Sequence, residues 1–121
     1  MHLDEYEETL LTGWEETYKK SQLTLWTLLA LKDGPKYMND IKEFIEEATD
    51  KKLTVDDKSM YRALRRFNEI GLTIYTEQES AGGPKRKLLE LSASGRKVLD
   101  NFIYRNITSI INHPKNKHLF T

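Results

Sequence analysis

The 121-residue chain has no cysteine, is 38% hydrophobic and 31% charged, and balances 19 Lys/Arg against 19 Asp/Glu. That length fits one domain, and the missing cysteine excludes disulfide frameworks, thiolate zinc sites and cysteine nucleophiles. The longest mostly apolar run, Leu25 to Leu31, is seven residues against the about 20 that a spanning helix needs. The N-terminal stretch Met1 to Glu8 is acidic where a signal peptide would be basic and then apolar, so the expected location is cytoplasmic. The zero net charge hides an asymmetry. Residues 1–57 carry seven Lys/Arg and fourteen Asp/Glu, and residues 58–121 carry twelve and five. Such a split marks either a polyanion-facing surface or mere internal complementarity. The positions of the charges decide between them.

Leu3, Tyr6, Leu10, Trp14 and Tyr18 recur at spacings of three and four, with acidic residues crowding the early positions. This predicts an amphipathic helix over 3–20 whose carboxylates suit the positive end of the helix dipole. Its narrow apolar stripe can meet the domain's own core or a partner helix. From Ser21 to Asp33 almost no polar face remains, so the next helix is expected to be buried on most sides. Gly34-Pro35 ends it. A helix over about 36–49 buries Met38, Ile41, Phe44, Ile45 and Ala48. Asp50-Lys51-Lys52 then turns the chain, and Leu53-Thr54-Val55 reads as a short strand or bridge.

Between Asp56 and Gly71 lies the first specific signal. Asp56 or Asp57 can cap a helix, and Met60, Ala63, Leu64, Phe67 and Ile70 share one face at 100° per residue. Lys58, Arg62, Arg65 and Arg66 fall opposite, broken only by Glu69. Residues 72–79 alternate like a strand, Ser80 to Pro84 turn, and Lys85 to Leu91 return with Lys85, Arg86 and Lys87 at the tip. A tip of glycines and cations directly after a cationic helix suits a phosphate backbone. Ser92 caps a last helix whose stripe runs from Val98 to Ile111 and stops near His113-Pro114. This stripe is broader than one small sheet can cover. Residues 114–121 carry no pattern and are expected to be disordered.

The order helix, helix, helix, short strand, helix, hairpin, helix predicts a mostly α fold with a small β-hairpin wing: a winged helix-turn-helix. Its divisions are an N-terminal helix (1–20), a winged-helix domain (21–95), a C-terminal helix (96–113) and a tail (114–121). The surplus apolar stripes predict a homodimer built by the two outer helices, with closed two-fold symmetry. Leu28 to Pro35, Ser59 to Phe67, Gly71-Leu72, Gly82 to Lys87 and Leu91 to Gly95 occur in one order at suitable intervals. Together they resemble the PadR family of transcriptional regulators, in its smaller subgroup with a single C-terminal helix. The resemblance spans about residues 22–104. It implies a dimeric repressor whose third motif helix enters the major groove, whose wing touches the DNA backbone, and whose first and last helices make the dimer; the two-fold of such a dimer then predicts an inverted-repeat operator. It also implies, for some subgroup members, release by an aromatic molecule held between the subunits. Two positions depart from the family pattern: Tyr37-Met38-Asn39 stands for His-Gly-Tyr, and Tyr61-Arg62 for Tyr-Pro.

The expected DNA contacts are Lys58, Ser59, Tyr61, Arg62 and Arg65 on the helix, with Lys85, Arg86 and Lys87 on the wing. Arg62 and Arg65 can fork onto guanine edges or phosphates, Lys58 acts as a point charge, and Ser59 and Tyr61 can hydrogen-bond phosphates. Arg66, at the edge of the face, can equally pair with an acidic neighbour. The wing cations, read as lying on a flexible turn, are assigned to phosphates. Trp14 and Trp26 have two readings: packing at helical spacing or, on the subgroup's resemblance, a sandwich for a flat aromatic effector. His2, His113 and His118 lie near the termini, where a metal geometry is hard to hold, so no cofactor is expected. Without cysteine, central histidine or phosphate-cradling loop, an enzyme lacks its usual parts. The remaining alternative is a winged helix whose cationic face binds protein.

Overall fold

Residues 2–121 are described by a computed structural model. Helix α1 (Glu5–Lys20) starts in a capping box: Glu7 N–H donates to Asp4 Oδ1 at 2.8 Å and Asp4 N–H donates to Glu7 Oε1 at 3.0 Å. The two local bonds satisfy donors that a helix start leaves orphaned. No side chain of α1 is buried, so its stripe finds no cover within the chain. Helix α2 (Gln22–Asp33) is the opposite case and buries Thr27, Leu28, Ala30 and Leu31. Past its end, Lys36 ties three segments together. Its Nζ donates to the Ala30 carbonyl and to Asp33 Oδ2, both at 2.8 Å, and its main chain exchanges two 2.9 Å bonds with Leu89.

Helices α3 (Met38–Ala48) and α4 (Asp57–Glu69) follow, then antiparallel strands β1 (Thr73–Gln78) and β2 (Arg86–Leu91) in a register from Thr73↔Leu91 to Gln78↔Arg86. Helix α5 (Ala93–Ile103) runs on through a π-helical turn (Tyr104–Thr108) into a last α turn, α6 (Ser109–Ile111). In that stretch Asn106 Nδ2 donates to the Phe102 carbonyl, a side-chain bond that competes with the regular ladder. The core is made by α2, α3, α4, β2 and α5, with Leu31, Ile41, Ile45, Met60 and Leu99 essentially inaccessible.

Several local expectations change. Leu53-Thr54-Val55 forms no strand; Leu53 is buried in the core, and the main-chain pairing on the outer edge of β2 is taken by Lys36. Ala48 is exposed, because the chain turns away at Asp50 and Lys51, both with positive φ. Ile70 is 57% exposed; it follows the last turn of α4, where Gly71 (φ 84°) swings the chain toward β1. Residues 114–121, expected to lack order, contain a 3-10 turn, Lys117–Phe120. The His113 carbonyl accepts from Asn116 and Lys117 N–H, both at 2.9 Å, and so starts it.

The junction of wing and last helix is tight. Ser92 Oγ accepts from Gly95 N–H at 2.9 Å and donates to the Gly71 carbonyl at 2.6 Å. A Cβ on Gly95 would lie 1.9 Å from the Leu72 carbonyl oxygen, so only glycine fits there.

Candidate nucleic-acid interface

Helix α4 owes its placement to both of its faces. Met60, Leu64 and Phe67 are buried against the core, while Lys58, Tyr61, Arg62, Arg65 and Arg66 are exposed. The helix start is held by Asp56, which accepts from Ser59 N–H at 2.7 Å and from Ser59 Oγ at 3.1 Å. The Ser59 backbone bond, then its hydroxyl bond, then the charges of Lys42 and Arg62 hold the Asp56 carboxyl below its usual range. Lys42 pairs with Asp57 across from α3, which ties the first turn of α4 to the preceding helix.

These contacts sort the predicted residues. Ser59 gives its single hydroxyl hydrogen to Asp56, so it completes the helix cap and has no donor left for a phosphate. Arg65 Nε lies 3.2 Å from Glu69 Oε1, an exposed i,i+4 pair of the kind worth about 0.3–0.5 kcal/mol and easily exchanged. Among the described residues, Lys58, Arg62 and Arg66 have no carboxylate within salt-bridge distance.

On the wing the three cations differ. Lys85 lies in the turn before β2, with its Nζ 3.9 Å from Glu79. Arg86 and Lys87 belong to β2, not to a flexible turn, and each lies on a tyrosine ring. The Arg86 guanidinium is 3.8 Å from the Tyr37 centroid and Lys87 Nζ is 4.5 Å from that of Tyr75. Both distances are within cation–π range. The Tyr37 hydroxyl donates to Gln78 Oε1, and Ser80 Oγ closes the turn on the Pro84 carbonyl at 2.6 Å. Between α4, the start of α3 and the wing lies an open cleft of about 600 Å³ lined by Tyr37, Tyr61, Arg65, Tyr75 and Arg86, among others.

Tyr37, marked in the sequence only as a departure from the family pattern, belongs to this surface, as do Tyr75 and Gln78, which the sequence pattern did not single out. The strand register could have paired Gln78 with Arg86; nothing local announces that Tyr37 meets both. Trp14, 76% exposed on α1, and Trp26, half-buried against the core from α2, have unlike surroundings within one chain. His113 Nδ1 accepts from Lys115 N–H at 3.0 Å. No helix is long and apolar enough to cross a membrane among the described residues.

The model of the transcriptional regulator PadR-like family matches residues 27–101. A solved PadR-like transcription factor from Bacteroides fragilis is similar at TM-score 0.62 and 27% identity, over 84% of this chain and 97% of that one. A PadR family transcriptional regulator from Eggerthella lenta aligns at TM-score 0.70 and 18% identity, over 94% and 96% of the two chains. The Bacillus subtilis PadR, solved in complex with operator DNA, aligns at TM-score 0.62 and 17% identity; the alignment spans 81% of this chain and 58% of that longer one. Comparison with curated proteins yields no match. The fold is the winged helix of these structures.

Proposed function

The chain belongs to the PadR-like family, a family of transcriptional regulators and not of enzymes, and from that membership we propose that it is a sequence-specific DNA-binding repressor acting as a homodimer on an inverted repeat. The observation that carries the reading is α4. Exposed cations line one side of a helix whose other side is locked into the core by Met60, Leu64 and Phe67. A rigid cationic helix can seat in a major groove and aim guanidinium forks at base edges. Arg62 and Arg65 read bases, while Lys58 and Tyr61 hold phosphates. Lys85, Arg86 and Lys87 engage the backbone from the wing. The operator complex of the Bacillus subtilis protein supports DNA as the partner, and the place of action is then the cytoplasm.

The homodimer reading rests on the apolar stripes of residues 3–20 and 96–112, where Tyr6, Leu10, Trp14, Val98 and Phe102 all remain exposed in the single chain. An aromatic effector, held by Trp14 and Trp26 at that interface, would release the DNA. Trp14's exposure supports this part of the proposal.

Selection of bound duplexes from random DNA at near-physiological salt tests the reading. The expected result is an inverted repeat with half-site centres about 10–10.5 bp apart. No enriched sequence would return the cationic face to a protein partner.

A further inference from the structure

Besides the core packing of Leu89 and Leu91, two neighbouring residues before α3 tie the wing to the body of the protein. Lys36 and Leu89 exchange main-chain bonds, and Tyr37, the next residue, reaches the last rung of the hairpin. That rung pairs Gln78 with Arg86, and Tyr37 engages both members: its hydroxyl donates to Gln78 and its ring lies under the Arg86 guanidinium at 3.8 Å. Tyr37 itself caps α3, and its main-chain carbonyl accepts from Asp40 and Ile41 N–H at 3.0 and 3.1 Å. The ring is therefore a fixed platform. Among the described residues no carboxylate pairs with Arg86.

A guanidinium lying on a ring loses its rotamer freedom in the free protein, so that loss is not incurred on binding. Stacking uses the guanidinium face and leaves its N–H edges free for in-plane, bidentate hydrogen bonds. We propose that Tyr37 is a positioning residue for DNA recognition: it sets the plane of Arg86, so that this arginine discriminates between sequences instead of only neutralising a phosphate. The inference rests on the DNA-binding reading above, and it concerns one tyrosine at a position where the chain departs from the family pattern.

The test is a double-mutant cycle on a duplex selected by the wild-type chain and on its scrambled counterpart, with folding of each variant checked by circular dichroism. Tyr37→Leu should weaken the selected duplex by about tenfold, the scale of one bidentate contact, and leave the scrambled duplex within about twofold. In an Arg86→Ala background the same Tyr37→Leu change should alter binding by less than about twofold, because coupled residues do not add. Tyr37→Phe, which keeps the ring, should bind the selected duplex within about threefold of wild type. Equal losses in both backgrounds, or on both duplexes, would overturn the proposal. If Tyr37→Leu does not fold, Arg86→Lys decides: it keeps the charge and loses the planar fork, so preference should fall while scrambled binding holds, and wild-type preference would refute the role. A wild-type chain that binds no duplex would overturn the DNA reading itself, and this inference with it. Duplex binding with an additive cycle would remove this inference alone.

Discussion

Two residues concentrate structural consequence. Gly95 sits at the start of α5 with its α-carbon against the Leu72 carbonyl, and an added Cβ would meet that oxygen at 1.9 Å. Alanine is the better helix former by about 0.5–1 kcal/mol, but overpacking a rigid site costs about 1–3 kcal/mol, and here the obstacle is backbone. Gly95→Ala should therefore destabilise, read as a lower urea midpoint; an unchanged or raised midpoint would refute the contact. Asp56 acts through charge. Its carboxyl titrates below its ordinary value because Ser59 bonds to the ionised form. A depressed pKa in the folded state means the contribution is present above the unfolded value of about 3.9 and lost as pH falls through the folded one. The melting temperature of wild type minus that of Asp56→Asn should thus be positive at pH 6 and shrink below pH about 4. A difference independent of pH would leave Asp56 no role as an ionised cap.

Helix and wing carry different cations for different work. Arg62 stands on α4, a helix fixed by three buried side chains, and has the geometry for base readout. Lys85 stands in the hairpin turn, and a flexible point charge meets phosphates, which carry no sequence information directly. Arg62→Ala should cost about 1–3 kcal/mol on the selected duplex and relax preference at one position. Lys85→Ala should weaken every duplex alike and reduce the salt slope by about one unit. Salt titrations on selected and scrambled duplexes separate the two. Equal losses on both for Arg62→Ala would make the helix a backbone reader only.

At the scale of the whole molecule, the two outermost helices leave Tyr6, Leu10, Trp14, Val98 and Phe102 open to solvent. Helix α1 buries no side chain, so charged substitutions on it leave the core of one chain intact. Wild type should sediment as a dimer at micromolar concentration, and the pair Leu10→Glu with Trp14→Glu should sediment as a folded monomer. A stable wild-type monomer would defeat the two-fold assembly. In the dimer the two α4 helices should stand about 34–36 Å apart, one turn of B-DNA, which a doubly spin-labelled distance measurement at Lys58 can read.

The elements and the family were legible in the sequence because both rest on short-range order. Helix faces repeat every three or four residues, the caps at Asp56 and Ser92 act over three residues, and the motifs at 27–101 keep their order along the chain. The cationic side of α4 was readable for the same reason, whereas the Arg65–Glu69 pair at i,i+4 was not singled out although its spacing allows it. Tertiary structure alone decided the rest. Tyr37 and Gln78 are 41 residues apart, and their meeting depends on how the start of α3 packs beside the hairpin. The same packing gave the outer edge of β2 to Lys36 instead of Leu53-Thr54-Val55 and placed the Leu72 carbonyl where only a glycine fits. It also turned two wing cations from loose charges into stacked ones. Periodicity assigns a residue to a face, but which distant side chain meets that face follows from the packing of whole elements.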